Sequence, residues 1–383
     1  MSDLPLDMVS RLIGFPTVSR DSNLAIIDFV RDYLAKLGVE STLVPNEDGS
    51  KANLFATAGP NVPGGIVLSG HTDVVPVDGQ DWSSDPFTLT ERDDKYFGRG
   101  TADMKTYCAL ALGILPEFLK SNPSRPIHIA LSYDEEVGCV GAPFMIEKMV
   151  DDVPEPMAVI VGEPTSMKVV TGHKSILHVE TRVTGHSVHS CQLDQGVSAV
   201  MTAARLVTYL EDMMLENRAR ADVDSPFDPP YSTIHCGIIE GGTAHNIVAK
   251  DCRIVTDIRT IAGEDPLDYF NRYEDRIRTV VEPEMKRIHP EAGVFLKRGN
   301  VIPGLRPEDD GAAERFARQL TGDNGQHAVA YATEAGQFQT AGYSVVICGP
   351  GSIDQAHQPD EFISRHQLAQ GWDFMKKISH TLR

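Results

Sequence analysis

The 383-residue sequence lacks paired cysteines, long apolar runs and an N-terminal secretory pattern. Its six cysteines never form a C-x-x-C pair, so we expect free thiols in a reducing compartment. No apolar run approaches the ~20 residues that a membrane-spanning helix needs, and the first ten residues have no basic segment followed by an apolar one. These absences predict a cytoplasmic protein with no membrane partner.

The sequence also has no concentrated basic segment. Acidic residues number 54 against 35 basic ones, giving a formal net charge of −19. A surface this acidic repels phosphate backbones and anionic lipids, so no nucleic-acid partner is expected.

The length suggests two or three folding units, each large enough to bury a core.

From residue 1 to about 175, short apolar runs bounded by glycine alternate with amphipathic stretches. This pattern is typical of an α/β domain with a mainly parallel sheet flanked by helices. One helix is predicted from Leu24 to Leu34, with Ser22 as its cap and Gly38 as its stop, and a second from Tyr107 to Phe118. The predicted strands are Ile66–Leu68, Ile127–Tyr133 and Val159–Val161.

Between about 176 and 298 the order changes to strand, helix, strand, strand, helix, strand. This βαββαβ order is that of a ferredoxin-like unit. Its predicted elements are Ile176–Val183, Val197–Met214, Ser232–Ile239, Ala249–Ile258, Tyr269–Val281 and Val294–Lys297. The run Val345–Ile347 has the same short apolar pattern as the strands predicted before residue 176. We therefore predict one domain of residues 1–175 and 299–383, interrupted by a second domain of residues 176–298.

Residues of the types that bind metals follow four strand candidates of the first domain. In an open α/β sheet such side chains converge beyond the carboxyl ends of the strands. The loop GRGTADMK before the Tyr107 helix adds an aspartate. The candidates are His71, Asp73, Asp103, Asp134, Glu135, Glu136, Glu163 and His357.

Histidines and carboxylates in these numbers suit one or two zinc-like ions, and a carboxylate can bridge a pair. Of the adjacent Glu135 and Glu136, one can ligate while the other accepts a proton from water. Taken alone, His71-x-Asp73 is more often a surface pair, and two adjacent glutamates are more often a solvated turn. Their placement at four independent strand ends favours the metal site.

Five segments, SGHTDVVPVD, GRGTADMK, DEEVG, GEPT and GPGSIDQAHQPDEF, resemble in order the signatures of the M20 metallopeptidases and amidohydrolases. The resemblance spans nearly the whole chain and implies a di-metal catalytic domain with an inserted dimerisation or lid domain. It implies that His71 and Glu163 hold one metal, that Glu136 and His357 hold the other, and that Asp103 bridges both. It also implies Asp73 as the residue that orients His71, Glu135 as the general base, and a cis peptide bond after Asp103.

The same resemblance extends to the inserted domain. GHSVHS resembles the segment in which a histidine, here His189 and not His186, crosses a homodimer to donate to the oxyanion. GGTAHNIVA and DIRT resemble substrate-binding segments containing Asn246 and Arg259. Without the family, a loop-capping histidine and a surface ion pair of Arg259 would be the simpler interpretations. The predicted substrate contacts are Asn246, Arg259, Glu334 and Gly351.

Within the family, YATEAGQFQTAG resembles the acetylornithine deacetylase branch, which implies hydrolysis of N2-acetyl-L-ornithine to acetate and L-ornithine by a metal-bridging hydroxide, in arginine biosynthesis. Glu334 would receive the ornithine ammonium or order its loop. The alternatives are a succinyl-diaminopimelate desuccinylase or a broader N-acyl-amino-acid hydrolase, and, from another class, a silent amino-acid-binding scaffold.

Two Zn²⁺ ions are expected per chain, with Co²⁺ as the alternative. The sequence departs from the family pattern at Thr106, Ser175 and Cys191-Gln192. None of these departures removes a predicted ligand.

Overall fold

A computed structural model describes residues 4–383. Its strands are β1 Ser41–Pro45, β2 Ala52–Ala58, β3 Ile66–His71, β4 Thr90–Arg92, β5 Lys95–Phe97, β6 Ile127–Ser132, β7 Ala158–Pro164, β8 Gly172–His173, β9 Ile176–Thr184, β10 Thr233–Gly241, β11 Asp251–Arg259, β12 Gly293–Ile302, β13 Ala328–Val329, β14 Val345–Gly349 and β15 Phe362–Ser364.

Its α-helices are α1 Leu6–Ile13, α2 Leu24–Lys36, α3 Lys105–Gly113, α4 Leu115–Lys120, α5 Ala142–Asp152, α6 Ala199–Ala219, α7 Pro266–Arg276, α8 Glu282–Ile288, α9 Ala312–Thr321, α10 Ala335–Thr340 and α11 Arg365–Thr381. Short 3₁₀ segments lie at Ser190–Gln195 and Ile353–Gln355, and a π-helical turn at Ile277–Val281 joins α7 to α8.

The chain divides into two compact units. The first comprises the residues up to Gly172, Pro307–His327 and Thr333–Arg383, and the second comprises His173–Arg306 and Ala328–Ala332. Each unit has a hydrophobic core of its own.

A six-stranded mixed sheet in the order β1-β2-β6-β3-β7-β14 organises the first unit. The strands β6, β3, β7 and β14 are parallel, and β1 and β2 pair antiparallel at one side. Every residue of β3, β6 and β7 is buried, as expected of strands with helices on both faces. The predicted α/β class with a mixed, mainly parallel sheet is therefore confirmed.

The second unit contains an antiparallel four-stranded sheet in the order β10-β11-β9-β12. With α6 and the α7–α8 segment it shows the βαββαβ order. Alternate residues of β9 and β11 are buried, which fits a sheet with one face on a core and the other exposed.

Two helix predictions need correction. The N-cap of α2 is Asn23, although the Ser22 hydroxyl accepts a hydrogen bond from the Leu24 amide at 3.2 Å. The single helix predicted from Tyr107 to Phe118 is two helices, α3 and α4, because Pro116 lies at the start of α4 and cannot donate to the preceding turn. All six cysteines are free, and among residues 4–383 no helix is both long and apolar enough to cross a membrane.

Candidate metal centre

The candidate ligands lie at one edge of the first unit's sheet. His71 ends β3, Glu163 lies near the end of β7, Glu136 follows β6, and His357 lies in the loop after β14. Because these strands are parallel, their carboxyl ends lie side by side. Close packing fixes the strand next to Glu163, since a Cβ on Gly162 would lie 2.1 Å from the Tyr107 ring.

Asp103 contacts both histidines. Its Oδ1 lies 2.9 Å from His71 Nε2, and its Oδ2 lies 3.3 Å from His357 Nε2. His357 Nε2 is also 3.0 Å from Glu136 Oε2. The peptide bond between Asp103 and Met104 is cis, as the family resemblance implies. The geometry thus brings together Asp103, both histidines and Glu136, that is, the proposed bridge, both proposed ligands of the second metal and one proposed ligand of the first.

Glu163 and Glu135 approach the same histidine. Glu163 Oε1 lies 3.8 Å from His71 Nε2. One ligand atom each of His71, Glu135 and Glu163 lie within 4.8 Å of one another, and the same holds for His71, Asp103 and Glu136. Glu135 is therefore close enough either to ligate an ion or to act on water beside one.

Asp73 organises the surroundings of His71 through its backbone and its side chain. Its carbonyl oxygen lies 2.9 Å from His71 Nδ1, which leaves Nε2 to face the carboxylates. The Asp73 carboxylate lies farther from Nδ1, at 3.6 Å, and accepts hydrogen bonds from the backbone amides of Glu135 and Glu136 at 3.1 and 3.3 Å. A 2.7 Å hydrogen bond from the Ser19 hydroxyl completes this arrangement.

Burial and mutual repulsion dominate the electrostatics of the cluster. Burial raises the pKa values of Glu135 and Glu163 well above the usual range, and the Asp103 charge raises both further. Burial also raises the pKa of Asp103, but hydrogen bonds from His357 and His71 outweigh it and hold that pKa low. Hydrogen bonds to Asp103 and Glu136 raise the pKa of His357 to about 10. The cluster therefore stabilises positive charge.

A divalent metal pair fits these donors. Two buried carboxylate oxygens, Oε1 of Glu136 and Oε1 of Glu163, have no hydrogen-bond partner within residues 4–383. Ionised Asp103, Glu135, Glu136 and Glu163 carry a combined charge of −4, which two divalent cations balance. Oxygen and imidazole donors are the ligands that zinc accepts.

Three of the predicted site residues, His189, Asn246 and Arg259, belong to the second unit. His189 is exposed at the start of the Ser190–Gln195 segment, where its Nδ1 accepts a hydrogen bond from the Cys191 amide at 3.3 Å. Asn246 lies beside it, because the Asn246 carbonyl accepts from the Ser190 amide at 3.0 Å. Arg259, at the end of β11, donates to Asp257 at 2.8 Å and to the Ala330 carbonyl at 3.2 Å. His186 is stacked on His289 instead.

Glu334 and Gly351 belong to the first unit. Only 1% of Glu334 is exposed, and its two carboxylate oxygens accept 2.6 Å hydrogen bonds from Ser69 and Ser132. Gly351 has a φ of 93° and lies against Ala102 and Pro164. The contacts of Glu334 join the ends of β3 and β6, which favours the ordering role over the ammonium-binding role.

Three residues near the ligands were missed by the sequence analysis. Arg99 and Glu361 form a fully buried ion pair at 2.7 Å beside Asp103. The Cys139 thiol lies 3.3 Å from Glu135 Oε1. Arg99 and Glu361 lie in two of the segments that resemble the family, GRGTADMK and GPGSIDQAHQPDEF. Only the fold shows that the two residues are in contact, because 262 positions separate them.

Comparison with known proteins decides the family. Residues 67–381 match the model of peptidase family M20/M25/M40. The chain belongs to this family. As a member it is a metal-dependent hydrolase, and it lies among the M20 amide hydrolases.

Full-length relatives share about a third of its residues. The chain is 33% identical over 380 residues to the acetylornithine deacetylase of Pasteurella multocida, covering 97% of this chain and 96% of the relative. It is 35% identical over 367 residues to the acetylornithine deacetylase of Proteus mirabilis, covering 94% and 91%. These matches confirm the resemblance stated from the motifs.

Solved structures of the family share the fold at low identity. Aminopeptidase PepT from Bacillus cereus has a TM-score of 0.77 at 18% identity, covering 99% of this chain and 98% of that chain. The M20 metallo-carboxypeptidase Sso-CP2 from Sulfolobus solfataricus has a TM-score of 0.77 at 17% identity, covering 98% of both chains. At such identities the likeness concerns the fold.

Proposed function

We propose that this chain hydrolyses N2-acetyl-L-ornithine to acetate and L-ornithine, the deacetylation that its relatives' names describe. The proposed role of this reaction is in arginine biosynthesis. The observation that carries the chemistry is the convergence of His71, His357 and four carboxylates at one sheet edge. The substrate rests on the 33% and 35% identity to acetylornithine deacetylases over nearly the full chain.

The ligands would be divided as the family resemblance implies. His71 and Glu163 would hold one ion, Glu136 and His357 the other, and Asp103 would contribute one oxygen to each. Zinc is the expected metal, with cobalt as the alternative. When bound, a pair of such ions polarises an amide carbonyl and makes water more acidic.

Glu135 is the proposed general base and acid. The Asp73 carboxylate holds its backbone amide, and its side chain lies near His71 and Glu163. From this position the carboxylate can take a proton from the attacking water and deliver it to the nitrogen of the departing amine. The C–N bond then breaks, and acetate and a free α-amine result.

The second unit is proposed to supply recognition and dimerisation. His189 would donate to the oxyanion of a neighbouring subunit, and Arg259 would bind the substrate carboxylate with two parallel hydrogen bonds. Asn246, beside His189, and Gly351, beside Ala102, would complete the substrate contacts. Homodimerisation through residues 176–298 and a cytoplasmic location remain predictions from the sequence.

A substrate panel tests the proposal. Purified protein is stripped of metal, reloaded with zinc or cobalt, and assayed for kcat/KM on N2-acetyl-L-ornithine, N-acetyl-L-norvaline, N-acetyl-L-methionine and N-succinyl-diaminopimelate. N-acetyl-norvaline has the ornithine carbon chain without the ammonium and is therefore the matched control.

We expect the highest kcat/KM on acetylornithine. Equal rates on the three acetyl substrates would indicate a broad hydrolase, and preference for the succinyl substrate a desuccinylase. Glu135→Gln should bind metal yet hydrolyse none of the four at more than a small fraction of the wild-type rate. A metal-loaded protein inactive on all four substrates would contradict the proposal.

A further inference from the structure

The Glu361 carboxylate lies in the interior of the first unit, four residues beyond His357. Only 1% of Glu361 is exposed. Its Oε1 accepts hydrogen bonds from the backbone amides of Ala102 and Asp103 at 2.8 and 3.0 Å, and both of its oxygens lie 3.1 Å from the Gly100 amide. The carboxylate thus binds the backbone of the loop from which the Asp103 side chain projects.

Arg99 extends these contacts to the other loop. Its Nη1 donates to Glu361 Oε2 at 2.7 Å and to the Gln358 carbonyl at 3.3 Å, and its Nη2 donates to Gln80 Oε1 at 2.6 Å. Gln80 in turn donates from Nε2 to the His357 carbonyl at 3.1 Å. The successive carbonyls of His357 and Gln358 are therefore held by the same group of side chains.

Glu361 is not itself free to serve as a metal ligand. Its two oxygens are occupied by three backbone amides and a guanidinium. Its position contrasts with that of Glu136 and Glu163, each of which keeps a buried oxygen without a hydrogen-bond partner in the described part of the chain. The geometry therefore distinguishes Glu136 and Glu163, which could hold an ion, from Glu361, which binds the Asp103 loop directly and the His357 loop through Arg99.

We propose that Glu361, acting through Arg99 and Gln80, is a positioning residue that fixes Asp103 and His357 at the separation needed for the second metal. The inference rests on the proposed di-metal function. Asp103 Oδ2 and His357 Nε2 lie 3.3 Å apart and come from loops that are distant in sequence. Shared interior contacts make their mutual position independent of the ion, so less ordering is required when the ion binds.

Zinc binding to the metal-free protein tests this role without reference to catalysis. Isothermal titration with Zn²⁺ should show two equivalents in the wild type. In Glu361→Gln an amide NH₂ replaces one acceptor oxygen and faces N–H donors, so we expect zinc affinity at one equivalent to fall 10- to 100-fold. Excess zinc should restore part of the lost hydrolysis.

Glu308→Gln is the matched control. The half-buried Glu308 accepts hydrogen bonds from the Ser344 hydroxyl at 2.5 Å and from the Val345 amide at 3.0 Å, at the start of β14, the end of that strand opposite the His357 loop. The same substitution there should lower the melting temperature while leaving both zinc equivalents at wild-type affinity. A merely structural role of Glu361 would give this result in Glu361→Gln as well.

A second variant covers the case in which Glu361→Gln does not fold. Gln80→Ala removes the hydrogen bond to the His357 carbonyl at a half-buried position and should weaken one zinc equivalent severalfold. Wild-type zinc affinity in folded Glu361→Gln, or in Gln80→Ala if the former does not fold, would overturn the inference. A wild type that binds two zinc ions but hydrolyses no acyl amino acid would instead refute the proposed function and leave the positioning role intact.

Discussion

The two carboxylate oxygens of Asp103 face different histidines, Oδ1 towards His71 at 2.9 Å and Oδ2 towards His357 at 3.3 Å. By contrast, Glu163 lies near one of these two histidines, His71. A side chain shared between two ions should affect both when it is removed, whereas a ligand of one ion should affect only that one.

We therefore predict that Asp103→Ala loses tight binding at both sites and that Glu163→Ala keeps about one ion per chain. Elemental analysis after dialysis against a weak chelator measures the stoichiometry, and the intact fold is checked by circular dichroism. Two tightly held ions in Asp103→Ala would remove the bridging assignment.

At the scale of single residues, the sequence indicated the ligand types but not their supports. His71, Asp103 and Glu163 could be proposed because strand ends and a short motif place them. The contacts of Arg99 with Glu361 and of Glu334 with Ser69 and Ser132 could not be predicted, because they join segments separated by more than 200 positions. No local periodicity indicates such pairs.

At the scale of elements, Glu334 joins the N-terminal end of α10 to the ends of β3 and β6. Removing its carboxylate leaves two buried hydroxyls unpaired and opens a cavity. We predict that Glu334→Ala lowers the free energy of unfolding by about 2–4 kcal/mol, and that Glu334→Gln, which keeps one acceptor and most of the volume, costs less.

The kinetic consequence separates the two roles considered for Glu334. An ordering role predicts that Glu334→Ala lowers kcat/KM on acetylornithine and on N-acetyl-norvaline by the same factor. Denaturant unfolding and the two assays provide the measurements. A loss confined to acetylornithine would instead assign Glu334 to the substrate ammonium.

The buried histidine of β6 makes stability depend on pH. His128 Nδ1 lies 2.9 Å from the Thr57 hydroxyl of β2, its Nε2 has no hydrogen-bond partner within residues 4–383, and burial lowers its pKa to about 4. The unfolded chain binds this proton below about pH 6.5, whereas the folded chain binds it only near pH 4.

Stability should therefore fall between pH 6.5 and 4 by up to about 1.4 kcal/mol per pH unit through His128 alone. In His128→Asn this contribution is absent, so the difference in unfolding free energy between wild type and variant should change across that window. Denaturant unfolding at several pH values measures it. Parallel curves for the two proteins would contradict the prediction.

Element boundaries followed from the sequence where one signal dominated. Short buried strands such as β3 and β7 were recognised because both faces are apolar and glycines bound them. The break between α3 and α4 was missed because Tyr107, Leu110, Ile114 and Phe118 keep helical spacing across Pro116. Hydrophobic spacing reports the buried face and not the continuity of the backbone.

At the scale of the whole molecule, the order of the elements could be predicted because the change from βα alternation to βαββαβ is visible along the chain. The function of the second unit could not be derived in this way. His189 is exposed, and its ring nitrogen Nδ1 accepts a local hydrogen bond from the Cys191 amide. Its proposed role in another subunit therefore depends on the family resemblance and requires a test on the assembled protein.

Complementation between subunits provides that test. His189→Ala and Glu135→Gln homodimers should each be almost inactive, because every site lacks one essential group and loss of an oxyanion donor alone costs about 10²–10³ in kcat. After subunit exchange, the site with an intact Glu135 in a heterodimer receives His189 from the other chain. Random exchange makes about half of the dimers heterodimers, each with one complete site, so the mixture should recover about a quarter of wild-type activity.

Exchange itself must be verified independently, by mass spectrometry of differently tagged chains, before the rates are compared. A matched mixture of His189→Ala with His186→Ala provides a further reference, because His186 is stacked on His289 and has no proposed catalytic role. If verified heterodimers of the His189 and Glu135 variants show no activity above the two parents, His189 does not act across the dimer. Recovery near one quarter would instead require that one subunit's histidine serve the other subunit's metal centre, because neither parent chain contains both groups.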